Sequence, residues 1–323
     1  MKILVTGAAG FIGSNLANYL LQRDYEVVAI DNFNDFYNPK IKEFHIEPFK
    51  SNPNFTLYRI DISEREAVKK VFEENPDMEA VVHLAAWAGV TQSVENPHIF
   101  VKDNVLGTNN ITDFCVEYGV KNFIFASTSS VYGDNPTPFT EDMDSSHPNA
   151  PYPATKKATE VLLYTISKNK DLNVTIFRFF NPLGPNLRPD MALPKLIKSA
   201  EYGKVFEIWI DPVSSARDYT HIDDMCKAIE SAVNNPQKYE IMNLGNSNPI
   251  TLIDMMKTVE KVTGKKVNAK ENFLPGQMKE TYADISKAKK LLGYDPKATL
   301  EEMVQAYYDW FVQQPEWYRL DEY

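Results

Sequence analysis

The sequence predicts an α/β fold in which a doubly wound parallel sheet is followed by a smaller C-terminal α/β lobe. In the N-terminal half, short apolar runs rich in Val, Ile and Phe alternate with helical stretches, a pattern typical of right-handed βαβ units. After about Asn181, proline and glycine become frequent and short helices alternate with irregular stretches. We therefore expect one unit over residues 1–180 and a second over 181–323, with some strands and helices crossing back.

The apolar runs define the expected elements in order. Buried strands are predicted at residues 2–6, 26–30, 55–60, 80–84, 122–126 and 174–179, with helices at 11–22, 63–74 and 101–118 between them. In the second lobe the candidate strands are 206–210 and 240–244, and the candidate helices are 251–263 and 300–312. This lobe should lie over the C-terminal edge of the sheet, where ligands bind in such folds.

Composition argues against several functional classes. The chain of 323 residues carries a formal net charge of −10 and no basic block, which argues against a nucleic-acid surface. Cys115 and Cys226 are the only cysteines and lie outside any CxxC or Cys/His cluster, so we expect no disulfide framework and no metal site. No signal peptide or bilayer-spanning apolar run is recognisable, and we expect a cytoplasmic protein without membrane contact.

A glycine turn follows the first predicted strand. The segment Gly7-Ala-Ala-Gly-Phe-Ile-Gly13 has the spacing GxxGxxG and opens the first predicted helix. Gly7 would make the tight turn, Gly10 would admit a pyrophosphate, and Gly13 would let the helix pack closely on the strand. Free N–H groups at the start of the helix favour phosphate. The pattern is that of the Rossmann dinucleotide-binding turn, although three glycines alone would also fit an ordinary structural turn.

Acidic residues after the second and third strands bear on the choice of dinucleotide. Asp31 is placed to accept hydrogen bonds from ribose hydroxyls, and it would repel a 2′-phosphate. Because no arginine follows it, we expect NAD rather than NADP. Asp61, followed by Ile62, could face the adenine, or it could cap the helix predicted at 63–74.

A YxxxK motif supplies candidate catalytic side chains. On a helix, this spacing puts Tyr152 and Lys156 on one face. The same spacing recurs at Tyr164 and Lys168, further from the sheet edge, where we expect packing rather than catalysis. The hydroxyl run at 127–130 leaves a buried strand and would either serve a ligand or merely cap that strand.

These motifs stand in register with Arg217-Asp-Tyr-Thr-His-Ile-Asp-Asp224, and over almost its whole length the chain resembles the extended short-chain dehydrogenase/reductases, specifically the nucleotide-sugar 4-epimerases. The resemblance implies Thr128, Tyr152 and Lys156 as catalytic residues. It also implies NAD contacts at Gly7, Gly10, Phe11, Ile12, Gly13, Asp31, Asn32, Asp61, Ile62, Leu84, Ala85, Ala86, Asn104, Tyr152 and Lys156.

The resemblance further implies a reaction. Tyr152 would take the proton of the C4 hydroxyl of a sugar while NAD accepts the hydride, and the 4-keto sugar would rotate before the hydride returns. Free tyrosine titrates near ~10, so we expect the Lys156 ammonium and the nicotinamide to lower the pKa of Tyr152. Lys156 would also hold the nicotinamide ribose, and Thr128 would orient the sugar hydroxyl.

The expected substrate is a UDP-hexose. Related dehydratases and decarboxylases carry carboxylates after the catalytic threonine, whereas this chain has Ser129 and Ser130, which favours epimerisation. Several segments resemble UDP-glucuronate 4-epimerases, but Thr91 stands where those enzymes have arginine, and Asn181 resembles the UDP-glucose enzymes. Substrate contacts are expected at Ser129, Ser130, Asn181, Arg188, Arg217 and Gln277.

Alternatives stay open at this point. The sugar pair could be UDP-glucose and UDP-galactose or their N-acetyl forms, and the reaction could be a net NAD(P)-dependent oxidation or reduction. A non-catalytic cofactor sensor of the same fold is a third possibility. The resemblance also implies a homodimer, through a helix bundle that includes residues 101–118 and 152–167. His83 and His221 are interpreted as non-catalytic.

Overall fold

The computed structural model describes residues 1–272 and 280–321. Its main sheet is parallel and contains β1 (Lys2–Thr6), β2 (Glu26–Ile30), β3 (Phe55–Tyr58), β4 (Ala80–His83), β5 (Asn122–Thr128), β6 (Asn173–Phe179) and β10 (Tyr239–Leu244). The order across the sheet is β10-β6-β5-β4-β1-β2-β3. The direction of strand addition therefore switches between β1 and β4, and ligands bind at such a switch in open α/β sheets.

Two smaller sheets come from the second half of the chain. The first consists of β7 (Asn181–Leu183), β9 (Ala216–His221) and β11 (Pro249–Thr251), in the order β11-β9-β7. The second pairs β8 (Phe206–Ile208) with β12 (Ala269–Glu271). β7 follows β6 directly, so this half of the chain begins at the carboxyl end of the main sheet.

Helices connect these strands. In chain order they are α1 (Phe11–Leu21), α2 (Pro39–Ile46), α3 (Arg65–Glu74), α4 (Val90–Glu95), α5 (Pro97–Phe100), α6 (Thr108–Glu117), α7 (Pro151–Asn169), α8 (Ala192–Tyr202), α9 (Ile222–Asn234), α10 (Leu252–Thr263), α11 (Ser286–Leu292), α12 (Leu300–Val312) and α13 (Glu316–Leu320). A π-helical segment, Val101–Gly107, precedes α6, and a 3₁₀ turn, Ser129–Tyr132, follows β5. Within the described residues, no helix is both long and apolar enough to cross a membrane.

Separate apolar clusters cover the two faces of the main sheet. Ile3 and Val5 of β1 belong to the cluster that includes Leu16 of α1, whereas Leu4 belongs to the cluster that includes Phe72 of α3. Successive strand residues point to opposite faces, so both faces of a central strand must be apolar. This explains why the strands are continuous Val- and Ile-rich runs rather than alternating ones.

The predicted fold class is confirmed, and several element ends differ. The strands predicted to end at 60, 84 and 210 stop at Tyr58, His83 and Ile208, whereas β5 continues to Thr128. The helix predicted from residue 63 begins at Arg65. The reason is that the Asp61 carboxylate accepts hydrogen bonds from the N–H and hydroxyl of Ser63, at 2.8 and 2.7 Å, which holds the chain in a turn.

The prediction of one α-helix over 101–118 is wrong in its first two turns, because Val101–Gly107 is π-helical. Such segments are uncommon and often occur at functional sites. The strand β10 (Tyr239–Leu244) belongs to the second half of the chain but pairs with β6 at the edge of the main sheet. An element of the predicted second unit therefore returns to the first. The division of the chain at residue 180 stays a prediction.

Candidate active site

The glycine turn between β1 and α1 has a backbone that only glycine accommodates. Gly7 has a φ of +70°, and its N–H donates to Ile30 O at 2.7 Å, which ties the turn to β2. A Cβ on Gly7 would lie 2.8 Å from Ala85 N, and one on Gly13 would lie 2.0 Å from Gly7 O. Gly10 caps α1 without a side-chain hydrogen bond, so no cap competes with a ligand for the first N–H groups of the helix.

A cavity of about 420 Å³ opens beside this turn, at the carboxyl ends of the central strands. Most of the predicted contact residues line it, although they lie far apart in the sequence. They are Gly7, Gly10, Phe11, Ile12, Gly13, Asp31, Asn32, Ile62, Leu84, Ala85, Ala86, Thr128, Ser129, Ser130, Tyr152, Lys156, Asn181 and Arg188. The crevice lies at the switch in strand order, where the topology predicts it.

Asp31 holds the cofactor side of the cavity together. Its two carboxylate oxygens accept hydrogen bonds from Ala9 N at 3.0 Å and Phe33 N at 2.8 Å. The side chain thus joins the glycine turn to the loop after β2, and it is buried in the cavity wall. The carboxylate has further lone pairs with which to accept hydrogen bonds from ribose hydroxyls.

Lys156 is buried at the centre of the site. Its Nζ donates to Ala126 O at 2.8 Å and lies 4.8 Å from the centre of the Phe125 ring. Burial lowers the pKa of Lys156 to about 7, although the negative charge of Glu160 raises it. The ammonium is therefore poised to change its charge near neutral pH.

Tyr152 lies in the first turn of α7, one turn before Lys156, and it lines the cavity together with Thr128. Burial raises the pKa of Tyr152 above its usual value, and the Thr128 side chain and the positive charge of Arg188 oppose this. The expectation that the pKa of Tyr152 is lowered therefore does not hold for the side chains alone. Lys156 cannot by itself bring the pKa of Tyr152 below its usual value, because burial weakens the positive charge of Lys156 near neutral pH.

Two predicted cofactor contacts lie outside the cavity lining. Asp61 is occupied by Ser63, and its other oxygen lies 3.4 Å from Lys102 Nζ. Asn104, in the π-helical segment, binds both backbone groups of Trp87, at 2.8 and 3.0 Å, and donates to Thr155 Oγ1 at 3.1 Å. Asn104 thus fixes the loop after β4 against the catalytic helix, and its link to a cofactor stays a prediction.

The expected sugar-binding residues are only partly assembled. Arg188 lines the cavity, but Asp190 holds its guanidinium with two hydrogen bonds of 3.0 and 2.8 Å. Asn181 lines the cavity at the start of β7. Arg217 lies on β9 outside the cavity lining, with Nη1 donating to Ala216 O at 2.9 Å, and burial lowers its pKa. Gln277 lies outside the described residues.

Sequence reasoning missed part of the cavity wall. Lys42 of α2 lines the cavity and donates to the backbone and side-chain oxygens of Asn34, at 2.9 and 2.6 Å. Trp87 also lines it, with its indole N–H donating to Asp103 at 2.5 Å. Trp87 directly follows the predicted contact Ala86, so extending that segment by one residue would have found it. No local pattern marked Lys42.

The second YxxxK motif lies away from the cavity, as predicted. Tyr164 is 47% exposed, and its ring packs edge-on against Tyr239 with centroids 5.2 Å apart. Lys168 Nζ lies 5.9 Å from the centre of the Tyr164 ring.

Comparison with known proteins identifies the family. Residues 3–245 match the NAD dependent epimerase/dehydratase family. The chain belongs to that family. It is 40% identical over 309 residues to a UDP-glucuronate 4-epimerase of Thermodesulfobacterium geofontis, and the match covers 95% of each chain.

Solved structures agree over nearly the whole length. The UDP-glucuronic acid 4-epimerase of Bacillus cereus, in complex with UDP-glucuronic acid and NAD, is 37% identical with a TM-score of 0.89, covering 97% of this chain and 99% of that one. The UDP-glucose 4-epimerase of Thermotoga maritima, with UDP-glucose, is 30% identical with a TM-score of 0.85 and the same coverage. The two likenesses mirror the mixed sugar signatures of the sequence.

The residues of the epimerase cavity fit NAD. The uncapped start of α1 suits a pyrophosphate, and the Asp31 carboxylate suits ribose hydroxyls and disfavours a 2′-phosphate. Tyr152 and Lys156 line the same cavity as these groups. Within residues 1–272 and 280–321, no group of three or more His, Cys, Asp or Glu side chains could hold a metal ion.

Proposed function

We propose that this protein is a UDP-sugar 4-epimerase that uses NAD, and that UDP-glucuronate and UDP-galacturonate are its substrate pair. The observation that carries the proposal is the meeting of Thr128, Tyr152 and Lys156 with the glycine turn in one cavity. The hydroxyls of Ser129 and Ser130 line it beside them, where carboxylates would favour other reactions of the family. Relatives that act on UDP-glucuronate support the choice of sugar.

The side chains divide the work of proton transfer. Tyr152 takes the proton of the C4 hydroxyl, and the neighbouring Thr128 side chain favours the phenolate form by lowering the pKa of Tyr152. Lys156, fixed by Ala126 O, favours that phenolate when its amine is protonated, and it has donors left for ribose hydroxyls. When bound, NAD supplies the hydride acceptor and donor. No net oxidation results, so we propose that the cofactor is retained between turnovers.

Several of the proposed substrate residues favour a sugar with a C6 carboxylate, and one favours a neutral sugar. Ser129 and Ser130 can donate hydrogen bonds to a C6 carboxylate, and Arg188 can pair with it if the guanidinium is shared with Asp190. Asn181, which replaces a threonine of the glucuronate enzymes, favours the alternative pair UDP-glucose and UDP-galactose. We keep Arg217 and Gln277 as proposed contacts to the diphosphate and nucleotide.

A substrate panel tests the proposal. Purified protein is incubated with UDP-glucuronate, UDP-glucose or UDP-N-acetylglucosamine without added cofactor, and C4 epimers are resolved by chromatography. We expect conversion of UDP-glucuronate with the largest kcat/KM and none by the Tyr152→Phe variant. Faster conversion of UDP-glucose would show that UDP-glucose, not UDP-glucuronate, is the preferred substrate. Formation of one NADH per product molecule would show that the reaction is a net oxidation and not an epimerisation.

We also propose a homodimer, in which a second copy covers the apolar surface of α4, the π-helical segment and α7. Val94, Val101 and Val161 are 64%, 53% and 53% exposed, and α4 and the π-helical segment both pack against α7. A charge there, as in Val161→Asp, should give monomers in sedimentation, whereas Val213→Asp on an exposed loop should not. Monomeric wild type at micromolar concentration would exclude the dimer.

Cytoplasmic location stays a prediction, which cell fractionation tests.

A further inference from the structure

The catalytic face of α7 carries a third polar residue beyond the tyrosine and the lysine. Glu160 follows Lys156 by four residues, as Lys156 follows Tyr152, so the three side chains stand on one helix face. Each of them interacts with one of three consecutive residues at the end of β5: Lys156 and Glu160 through hydrogen bonds, and Tyr152 through the effect of Thr128 on its pKa. The pairs are Tyr152 with Thr128, Lys156 with Ala126, and Glu160 with Ser127.

Glu160 is a buried charge with a complete set of partners. Its Oε1 accepts hydrogen bonds from Ser127 Oγ at 2.6 Å and Arg178 Nε at 3.1 Å, and its Oε2 from Arg178 Nη2 at 2.8 Å. The Glu160 and Arg178 side chains are each 1% exposed. Arg178 in turn donates to Ser145 Oγ at 3.3 Å and lies over the Tyr132 ring at 4.7 Å.

Stability alone does not account for this ion pair. Removing two charges from water costs several kcal/mol per ion, and packed apolar residues often replace such a pair without loss of stability. The pair lies one helical turn from a buried lysine whose function depends on its charge. Ser127, which binds Glu160, also lines the cavity and directly precedes Thr128.

The surroundings of Lys156 contain few compensating charges. On β4, His83 is buried between Thr6 and Thr108, and burial together with the charge of Lys156 lowers its pKa to about 3, so it is neutral. The neighbours on β5 are the Phe125 ring and Ala126 O. Among the described residues, the other charged groups near this face are Arg178 on β6 and Lys157 on α7. Those in the cavity wall are Asp31 after β2, Lys42 on α2, Asp103 in the π-helical segment and Arg188 after β7.

We propose that Glu160 is a positioning residue for epimerisation: clamped by Arg178 and Ser127, it keeps the Lys156 ammonium charged and fixes the end of β5 that presents Thr128. The proposal rests on the proposed function for its kinetic consequence but not for its electrostatic one. Glu160 does not itself line the cavity and acts through Lys156 and Ser127.

The sign of the effect follows from the charge. The carboxylate of Glu160 raises the pKa of Lys156, which burial brings down to about 7. In Glu160→Gln the pKa of Lys156 falls further, so the ammonium is lost at a lower pH. Activity should then decline on the alkaline side at lower pH than in wild type, while at acidic pH, where Lys156 is charged in both proteins, the two should converge.

The variants separate this role from a structural one. Glu160→Gln leaves Arg178 buried without its partner and could fail to fold. The double variant Glu160→Gln/Arg178→Met removes both charges and should fold, yet it still lacks the carboxylate. Glu160→Asp keeps the charge and should restore part of the wild-type profile. Glu230→Gln is the matched control, because Glu230 accepts from Tyr19 at 2.7 Å on α9, away from the cavity.

Two measurements decide the question on holoenzyme. The first is kcat as a function of pH with whichever UDP-sugar is epimerised: the ratio of double variant to wild type should fall about tenfold between pH 6 and pH 9. A ratio that is constant with pH, or the same fall in Glu230→Gln, would overturn the proposal. The second is a lysine-selective ¹³C NMR titration, with the Lys156 signal assigned by its loss in Lys156→Met.

The NMR titration tests the role of Glu160 independently of the proposed function. If no UDP-sugar is epimerised, the proposed function fails, but the Lys156 midpoint should still be lower in the double variant than in wild type. An unchanged or higher midpoint would refute the role of Glu160 even if epimerisation is observed.

Discussion

Helix α7 carries the same YxxxK spacing twice, and only the first copy is built into the cavity. Tyr152 and Lys156 meet the end of β5, where Ala126 O accepts a hydrogen bond from Lys156 and Thr128 lowers the pKa of Tyr152. Tyr164 and Lys168 lie on the exposed side of the helix. In the described part of the chain, the Tyr164 ring packs against Tyr239, and Lys168 lies near the Tyr164 ring. The difference teaches that spacing brings a tyrosine and a lysine together, whereas the strand end behind them makes the pair reactive.

Burial is the physical basis of that difference. The second pair is exposed to water. The buried pair, in contrast, has both pKa values moved by its surroundings. Desolvation weakens the charge of Lys156 and the acidity of Tyr152, and specific partners oppose each effect: Thr128 and Arg188 for the tyrosine, Glu160 for the lysine. Replacing corresponding members of the two copies tests this account.

The largest expected difference is between the two tyrosines. Tyr152→Phe removes the hydroxyl that transfers the proton and should lower kcat by about 10² to 10⁴-fold. Tyr164→Phe should change it by less than about twofold, since no described contact of its hydroxyl serves the cavity. Steady-state epimerisation assays on both variants check this, with circular dichroism as the control for folding. Equal losses in both would show that position on the helix does not matter.

Replacing Lys156 should lower activity but raise stability, whereas replacing Lys168 should change neither much. Lys156→Met should lower kcat about 10²-fold or more, whereas Lys168→Met should leave it unchanged. The folded state lowers the pKa of Lys156 from 10.5 to about 7, so the unfolded chain binds the proton first and stability falls as the pH falls through that window. At about 1.4 kcal/mol per pKa unit, the cost reaches about 5 kcal/mol at its limit.

Lys156→Met should therefore raise the free energy of unfolding near pH 7 by about 2 to 5 kcal/mol, while Lys168→Met changes it by less than about 0.5 kcal/mol. Urea unfolding of the cofactor-free proteins measures both. A destabilised Lys156→Met protein would contradict the idea that this ammonium is held at a cost to folding.

A smaller effect is expected from the threonines that neighbour each tyrosine. Thr128→Val removes the hydroxyl that lowers the pKa of Tyr152, so that pKa rises and the acidic limb of the pH profile should move to higher pH. Activity at a pH on that limb should fall about five- to tenfold. Thr165→Val, on the exposed face of α7, is the control and should leave the profile in place. A shift to lower pH in Thr128→Val would reverse the assigned role.

The smallest effect concerns packing at the second copy. Tyr164→Ala removes the edge-on contact with Tyr239 and should cost about 1 kcal/mol in the free energy of unfolding, without a change in kcat. Thermal or urea unfolding measures the former. A loss of catalysis here would mean that the second copy is coupled to the cavity.

The sequence was most informative where the backbone itself makes the site. The glycine turn and Asp31 could be predicted because a positive φ at Gly7 and the close approach at Gly13 leave little choice of residue. The strand positions followed from burial on both faces. The pairing of β10 with β6 joins segments far apart in the chain, and no local pattern requires it.

The sugar side was less predictable because side-chain contacts decide it. Arg188 was expected to face the substrate. Its guanidinium also makes two hydrogen bonds to the carboxylate of Asp190, and this pairing depends on the conformation of the local turn. Asn104 was expected at the cofactor, yet in the π-helical segment it binds the backbone of Trp87. Lys42 reaches the cavity only because of how α2 packs after a loop.

The central claim is that the first YxxxK pair serves a closed cycle in which a hydride leaves C4 and returns. UDP-glucuronate carrying deuterium at C4, incubated with purified enzyme without added NAD, tests it most directly. We predict that the C4 epimer forms with the deuterium retained at C4 and that no net NADH accumulates. Loss of the label to water, or NADH formed in proportion to product, would contradict the account.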